Sequence, residues 1–246
     1  MGNRNYILAI LCFTCLILSN NCTEQSDCLK STGKIISEER IPGNFIGVTL
    51  FDDINLSLVQ DTIEKVIVKG GENLLYDINS DINNEVLYLK NYNHCKYLRS
   101  YQKEILAEVH YIRLKSIVHG GSAKITSDII KSNELVIWLD GAKGEIYLNL
   151  NIDNLKLEHR SGNGYTYLQG TVKNGTINSY AEGLLDLRNL NINNLTMLSD
   201  SYNDAYIWVT GTLEVEITSL GNVYYRGDPY IKKYIRTGQG QLIKTD

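Results

Sequence analysis

The stretch Ser161–Gly170, SGNGYTYLQG, places two glycines two residues apart just ahead of an alternating apolar and polar run. Similar punctuation returns about every twenty residues. With each glycine-rich turn in register, the residue that begins the following run is Ile125, Ile146, Thr166, Leu185, Ala205, Val223 and Leu242, at spacings of 21, 20, 19, 20, 18 and 19. Two residues further on, Leu148, Leu168, Leu187 and Ile207 share the frame, as the period of two in a strand requires. A second ladder lies half a repeat away at Ile137, Leu157, Ile177 and Met197. Two ladders in phase describe a coil that repeats.

A period near twenty also occurs in leucine-rich repeats, but the Leu-x-x-Leu-x-Leu-x-x-Asn pattern is missing and no amphipathic helix fits between the strands. A β-sandwich of antiparallel hairpins would show no constant repeat. The pattern predicts an all-β chain whose C-terminal part is a β-solenoid of about 20 residues per coil, with rungs about 4.8 Å apart. At the corners the chain must bend sharply. Gly121, Gly144, Gly164, Gly183 and Gly240 are expected to permit that bend, often with positive φ, without a Cβ clash, and Asn203 and Asp204 to replace them in one coil.

Composition agrees with strands and turns: twenty glycines and seventeen tyrosines stand against two prolines, three phenylalanines and two methionines. An apolar share of 43% is ordinary for a folded protein and argues against disorder. The net charge of −4 comes with no basic stripe, which sets nucleic acid aside as a partner.

The N-terminus carries Arg4 and then an apolar run from Tyr6 to Leu18, within the length of a secretion signal and short of the roughly 20 residues that span a bilayer. Cys22 follows directly and opens a polar segment, the position of a cysteine lipidated after signal cleavage. It is expected to tie the protein to the outer membrane, facing the surface or the periplasm. Simple secretion is the alternative, since Ser19, Asn20 and Asn21 fit the small-residue consensus poorly. Cys12 and Cys15 would leave with the signal. Cys28 and Cys95 remain, and in an oxidising compartment they are expected to form a disulfide. Closing that loop is worth on the order of 4 kcal/mol.

Four segments follow: a signal peptide over 1–21, a lipid-anchored tether over 22–44, an N-terminal β segment over 45–115 and the solenoid over 116–246. The β segment contains strands such as KVIVKGG and EVLYLKN without the regular ladder. Either it or the tail GQGQLIKTD is expected to cover an open end of the coil.

The segments CTEQSDCLKSTG, FDDINLSL, GGENLL, NHCKYLRSY, HGGSAKITS, LDGAKGEIYLNL and GNVYYRGDPYIKKYIRTGQGQLIK occur in an order that resembles bacterial lipoproteins with the head GIN domain of auto-transporter adhesins. Asp53, Ile54 and Asn55 stand where that domain has Gly-Ile-Asn. The resemblance runs from Cys22 to the C-terminus. It implies a right-handed parallel β-helix, export by Gram-negative bacteria, and adhesion.

The chain offers little for catalysis. Gly162-x-Gly164 precedes a strand, whereas a nucleotide loop opens a helix. His94, His110, His119 and His159 show no metal-ligand spacing and are expected at the surface or at corners, so neither metal nor cofactor is expected. Among the acids, Asp140, Asp200 and Asp204 fall at corners, and only Asp186 lies in an outward strand column. A polysaccharide-active β-helix enzyme therefore ranks below a non-enzymatic surface-binding module, with a structural envelope scaffold as the main alternative. If the first ladder points inward, the next residue of each coil points outward: Tyr147, Tyr167, Asp186, Tyr206 and Tyr224. With Trp208 beside Tyr206, these would form an exposed aromatic ribbon broken by one carboxylate. Such a ribbon suits a glycan or a protein ligand, or merely stiffens the coil.

Overall fold

The computed structural model describes residues 31–94 and 104–246. The expected lipid site Cys22 and the expected disulfide partners Cys28 and Cys95 lie outside them. Sixteen strands and one short helix, α1 (Glu72–Leu75), make up the described residues, and all the strands join one hydrogen-bonded sheet.

The core of the molecule is a parallel β-solenoid formed by five long strands, β9 (Ile125–Leu139), β10 (Ile146–His159), β11 (Thr166–Ser179), β12 (Leu185–Ser199) and β13 (Ala205–Ile217). Shorter rungs β14 (Val223–Arg226), β15 (Tyr230–Arg236) and β16 (Leu242–Lys244) complete it. The seven positions of the first ladder are Cα partners one after another, from Ile125↔Ile146 to Val223↔Leu242. The second ladder is equally in register, with Ile137, Leu157, Ile177 and Met197 stacked and continued by Ile117 below and Val215 above.

Each long strand turns a corner without losing its pairing. In β10 the buried positions are Ile146, Leu148, Leu150 and Ile152, and then Leu155, Leu157 and His159. Parity therefore switches at Asp153 and Asn154, so both halves of the strand present aliphatic side chains to the same interior. Each such side chain, removed from water, contributes about 1.5–3 kcal/mol. At this corner Asn154, Asn174 and Asn194 form an amide ladder, Asn174 donating to Asn154 at 3.0 Å and Asn194 to Asn174 at 3.1 Å.

The corner glycines are needed for their missing Cβ and not for positive φ. None of Gly121, Gly144, Gly164, Gly183 and Gly240 has positive φ, and neither has Asn203 or Asp204. A Cβ on Gly144 would overlap the Ala123 carbonyl oxygen, one on Gly164 that of Gly144, and one on Gly183 that of Gly164. Consecutive coils touch backbone to backbone here, and only hydrogen fits. In the opening stretch the positive φ falls instead on Gly162, at +107°, and Gly170, at +109°.

The N-terminal β segment belongs to the same stack, but its rungs do not follow chain order. β2 (Gly47–Leu50) lies between β6 (Val86–Asn91) and β8 (Ser116–His119), parallel to both. Likewise β3 (Asn55–Gln60) lies between β7 (Leu106–Tyr111) and β9. The first rung in sequence is thus an interior rung in space. Beyond β6 and β7 the end is closed by antiparallel strands: β4 (Lys65–Gly71) on β7, β1 (Ile35–Arg40) on β4, and β5 (Ile78–Asn83) on β6. The stretch assigned to the tether accordingly contains a strand, anchored by Arg40, which donates to the carbonyls of Ile78 at 2.6 Å and Leu75 at 3.0 Å. At the other end the tail forms β16 on β14.

Candidate functional site

Tyr147, Tyr167, Asp186, Tyr206 and Tyr224 are consecutive Cα partners across β10 to β14, one residue after the buried ladder. The four tyrosines are partly exposed. Ring centroids of Tyr147 and Tyr167 lie 5.8 Å apart, and Tyr206 stacks on Tyr224 at 5.1 Å with 13° between planes. Tyr165, in the turn before β11, joins the row 5.7 Å from Tyr147.

Asp186 departs from its expected exposure. It is only 2% exposed, covered by Arg188 and Tyr165. The cause is a β-bulge: Tyr167 pairs with Asp186 but Gln169 pairs with Asn189, so β12 carries one residue more than β11. Arg188, two residues on and beside this bulge, folds onto the carboxylate, with Nε donating to Oδ1 at 2.9 Å and Nη2 to Oδ2 at 2.6 Å. The Arg188 backbone N–H and the Tyr165 hydroxyl add donors at 3.1 and 3.0 Å. These Arg188 hydrogen bonds hold Asp186 below the usual carboxylate range against the opposing effect of burial, while burial and the Asp186 hydrogen bond push Tyr165 up to about 12. The carboxylate is a support for Arg188 and is spent as a general acid or base.

Cations lie over the aromatic faces. Arg188 stands 4.7 Å above the Tyr206 ring, Lys124 4.7 Å above Tyr147, and Arg226 4.1 Å above Trp208. Two to three residues along the strands runs an amide column, Asn149, Gln169 and Asn189, in register across three coils. Tyr167 donates its hydroxyl to Gln169 at 3.2 Å and accepts from Asn189 at 2.7 Å. The amides lead to a groove of about 710 Å³ lined by Gln60, Ser127, Asp128, Ile129, Lys131, Asn149 and Gln169. It opens where a bulge shifts the register between β9 and β10. One outward sheet face thus combines flat apolar rings, hydroxyls, amides and cations.

Sequence reasoning found the tyrosines and Trp208 but missed Tyr165, Arg188, Arg226 and the amide column. Two of the amides were available from the ladder, Asn149 and Gln169 being two residues beyond Tyr147 and Tyr167. Arg188 and Arg226 also lie two residues beyond Asp186 and Tyr224, whereas the bulge in β12 puts Asn189 three residues beyond Asp186.

The remaining candidates are structural. Asp140 accepts from Ser161 at 2.7 Å, Asp200 from Thr218 at 2.8 Å and Asp204 from the Asn222 N–H at 2.8 Å, so each ties one coil to the next. His94 is exposed, and His110 bridges Asp61 and Glu108 at 2.8 Å to each. His119 and His159 correct the expectation of surface or corner histidines: both are fully buried, because each follows an inward residue by two positions. Neither ring nitrogen of His159 has a partner, and burial pushes its pKa down to about 4. Among the described residues no group of three or more His, Cys, Asp or Glu could hold a metal ion, and no helix is long and apolar enough to cross a membrane.

A family model described as "Putative auto-transporter adhesin, head GIN domain" matches residues 44–229. Among solved structures, a "putative adhesin" from Bacteroides fragilis superposes with a TM-score of 0.78 at 19% identity, covering 86% of this chain and 97% of that one. A "putative lipid binding protein" from Parabacteroides distasonis reaches 0.65 at 17% identity over 88% and 98%. A "putative adhesin" from Parabacteroides merdae reaches 0.60 at 17% over 89% and 99%. At these identities the structures establish the shared fold. No curated protein matches the sequence.

Proposed function

The chain belongs to the auto-transporter adhesin head GIN domain family, and from that premise we propose that it is a non-enzymatic adhesion module of the cell envelope. Its ligand is a glycan, bound on the outward face of β10 to β14. The observation that carries this is the row of partly exposed tyrosine rings beside the amide column Asn149, Gln169 and Asn189. Sugar rings present an apolar C–H face and a rim of hydroxyls. The tyrosine faces suit the first and the amides, each both donor and acceptor, suit the second. A rigid sheet holds these groups at fixed spacing, so little ordering entropy is lost on binding.

Replacing Tyr147, Tyr167 and Tyr206 together with serine is expected to weaken attachment about tenfold or more, measured on glycan arrays and by cell-surface attachment. The thermal midpoint should fall only modestly, because the rings lie outside the aliphatic core. Unchanged attachment in a folded triple variant would remove this face as the binding site and favour the scaffold reading, in which stacked rings only stiffen the coil.

Cys22 serves in this proposal as the lipidated N-terminus that holds the module to the outer membrane. Mass spectrometry of the mature protein should find a diacylglyceryl group on the Cys22 sulfur. A mature chain starting at Thr23, or an unmodified Cys22, would indicate a secreted protein.

A further inference from the structure

We propose that the glycan bound on this face is an anionic polysaccharide, its carboxylate or sulfate groups pairing with Lys124, Arg188 and Arg226 while its sugar rings lie on the tyrosines. The inference rests on the binding face proposed above. Its origin is a contrast in charge. The chain carries a net charge of −4, yet the tyrosine row presents cations to solvent. The single carboxylate of that row, Asp186, has a side chain only 3% exposed, whereas the Arg188 that covers it is 57% exposed. Arg188 therefore turns an acidic position into a basic surface.

Geometry adds a second argument. All three cations lie over an aromatic ring, at 4.7, 4.7 and 4.1 Å from its centroid. A guanidinium stacked in this way is fixed in orientation, with N–H groups at its edge free to meet a planar oxyanion. Arg226 is partly exposed and among the described residues has no ion pair; its Nε is buried, so only its terminal N–H groups can meet an anion. Lys124 has a partner in Glu145 at 3.6 Å, but both are about half exposed, and such a pair exchanges readily for another anion. Asp128 and Lys131 in the adjacent groove offset each other, leaving its charge close to neutral.

The test compares four polymers by calorimetry: hyaluronan, carboxyl-reduced hyaluronan, dextran sulfate and dextran. The protein is expected to bind hyaluronan or dextran sulfate, or both, more tightly than their neutral counterparts, the two pairs separating carboxylate from sulfate. Arg226→Gln should lose roughly tenfold on a charged polymer and little on a neutral one. Lys232→Gln with Lys233→Gln, on β15 at the other half of the coil, controls for general attraction and should change neither. Equal affinity for charged and neutral polymers would overturn the inference while leaving the binding face intact. So would an Arg226→Gln variant with undiminished affinity, or equal losses in the β15 variant. Failure to bind any of the four polymers would overturn both proposals. Arg188 is unsuitable as a probe, because its removal strands the buried Asp186 carboxylate and endangers the fold.

Discussion

Gly144→Ala is expected to cost about 4 kcal/mol and to lower the thermal midpoint by about 10 °C, a large effect for one methyl group. The backbone of Gly144 has no positive φ, so alanine could adopt its conformation. What forbids alanine is the Ala123 carbonyl oxygen, which occupies the position its Cβ would take. Relief requires separating two coils at a corner where Gly164 and Gly183 repeat the same contact above, and the strain spreads along the stack. Gly141 provides the comparison. Its φ is +74°, but the nearest atom to an added Cβ is the Gly120 oxygen at an ordinary 3.5 Å. Gly141→Ala should therefore cost only about 1 kcal/mol, the ordinary penalty of a left-handed residue. Urea titration of the two variants decides the matter: if Gly144→Ala is no worse than Gly141→Ala, close backbone stacking is not what these corners require.

Acid should destabilise the protein through His159. Its folded pKa of about 4 lies below the ordinary value of 6.5, because burial penalises the charged ring. Between those values the unfolded chain binds a proton that the folded chain refuses, so stability rises with pH across this window and is lost as pH falls from 6.5 towards 4. The loss attributable to His159 amounts to about 3 kcal/mol by pH 4. His119, also lowered by burial, acts in the same direction. In His159→Leu the slope should be shallower, and the variant should exceed the wild type by about 2 kcal/mol at pH 5 relative to their difference at pH 7. Denaturant midpoints measured across pH 4–7 test this. Parallel curves for the two proteins would show that His159 is protonated in the folded state or hydrated there.

The regular half of the fold was legible because each coil repeats the same inward positions at a near-constant offset, and the offsets in sequence equal the register of the sheet. Ile146, Thr166 and Leu185 announced their own partners. The N-terminal half withheld its rungs for a geometric reason. Leu56 pairs with Ile125, 69 residues later, while β4, β5, β6 and β7 pass to the outer side of the stack and β8 returns between β2 and β9. No fixed period survives such an ordering. Parity would have placed His159 inside, since it follows Leu157 by two, but its polar character argued for the surface. Corner glycines were located correctly and their missing Cβ matters, but the positive φ expected of them falls elsewhere, since a sequence does not distinguish a residue chosen for its dihedral freedom from one chosen for the absence of a side chain. Asp186 shows the limit of column reasoning: its burial depends on Arg188, which folds onto it beside a bulge.

If the chain is held at its N-terminus, as proposed through Cys22, the interior position of β2 and β3 has a mechanical meaning. In a solenoid whose rungs follow chain order, tension on the N-terminus meets a terminal rung with one neighbour, and coils can peel away in sequence. Here tension first reaches β1, held by six paired positions to β4. The next strand, β2, is clamped between β6 and β8, and β3 between β7 and β9. Drawing either out requires breaking two ladders at once in the middle of the stack. Unravelling under load is therefore arrested after the first strand, and the coils beyond β9, with the tyrosine face they carry, keep their shape while the molecule is pulled.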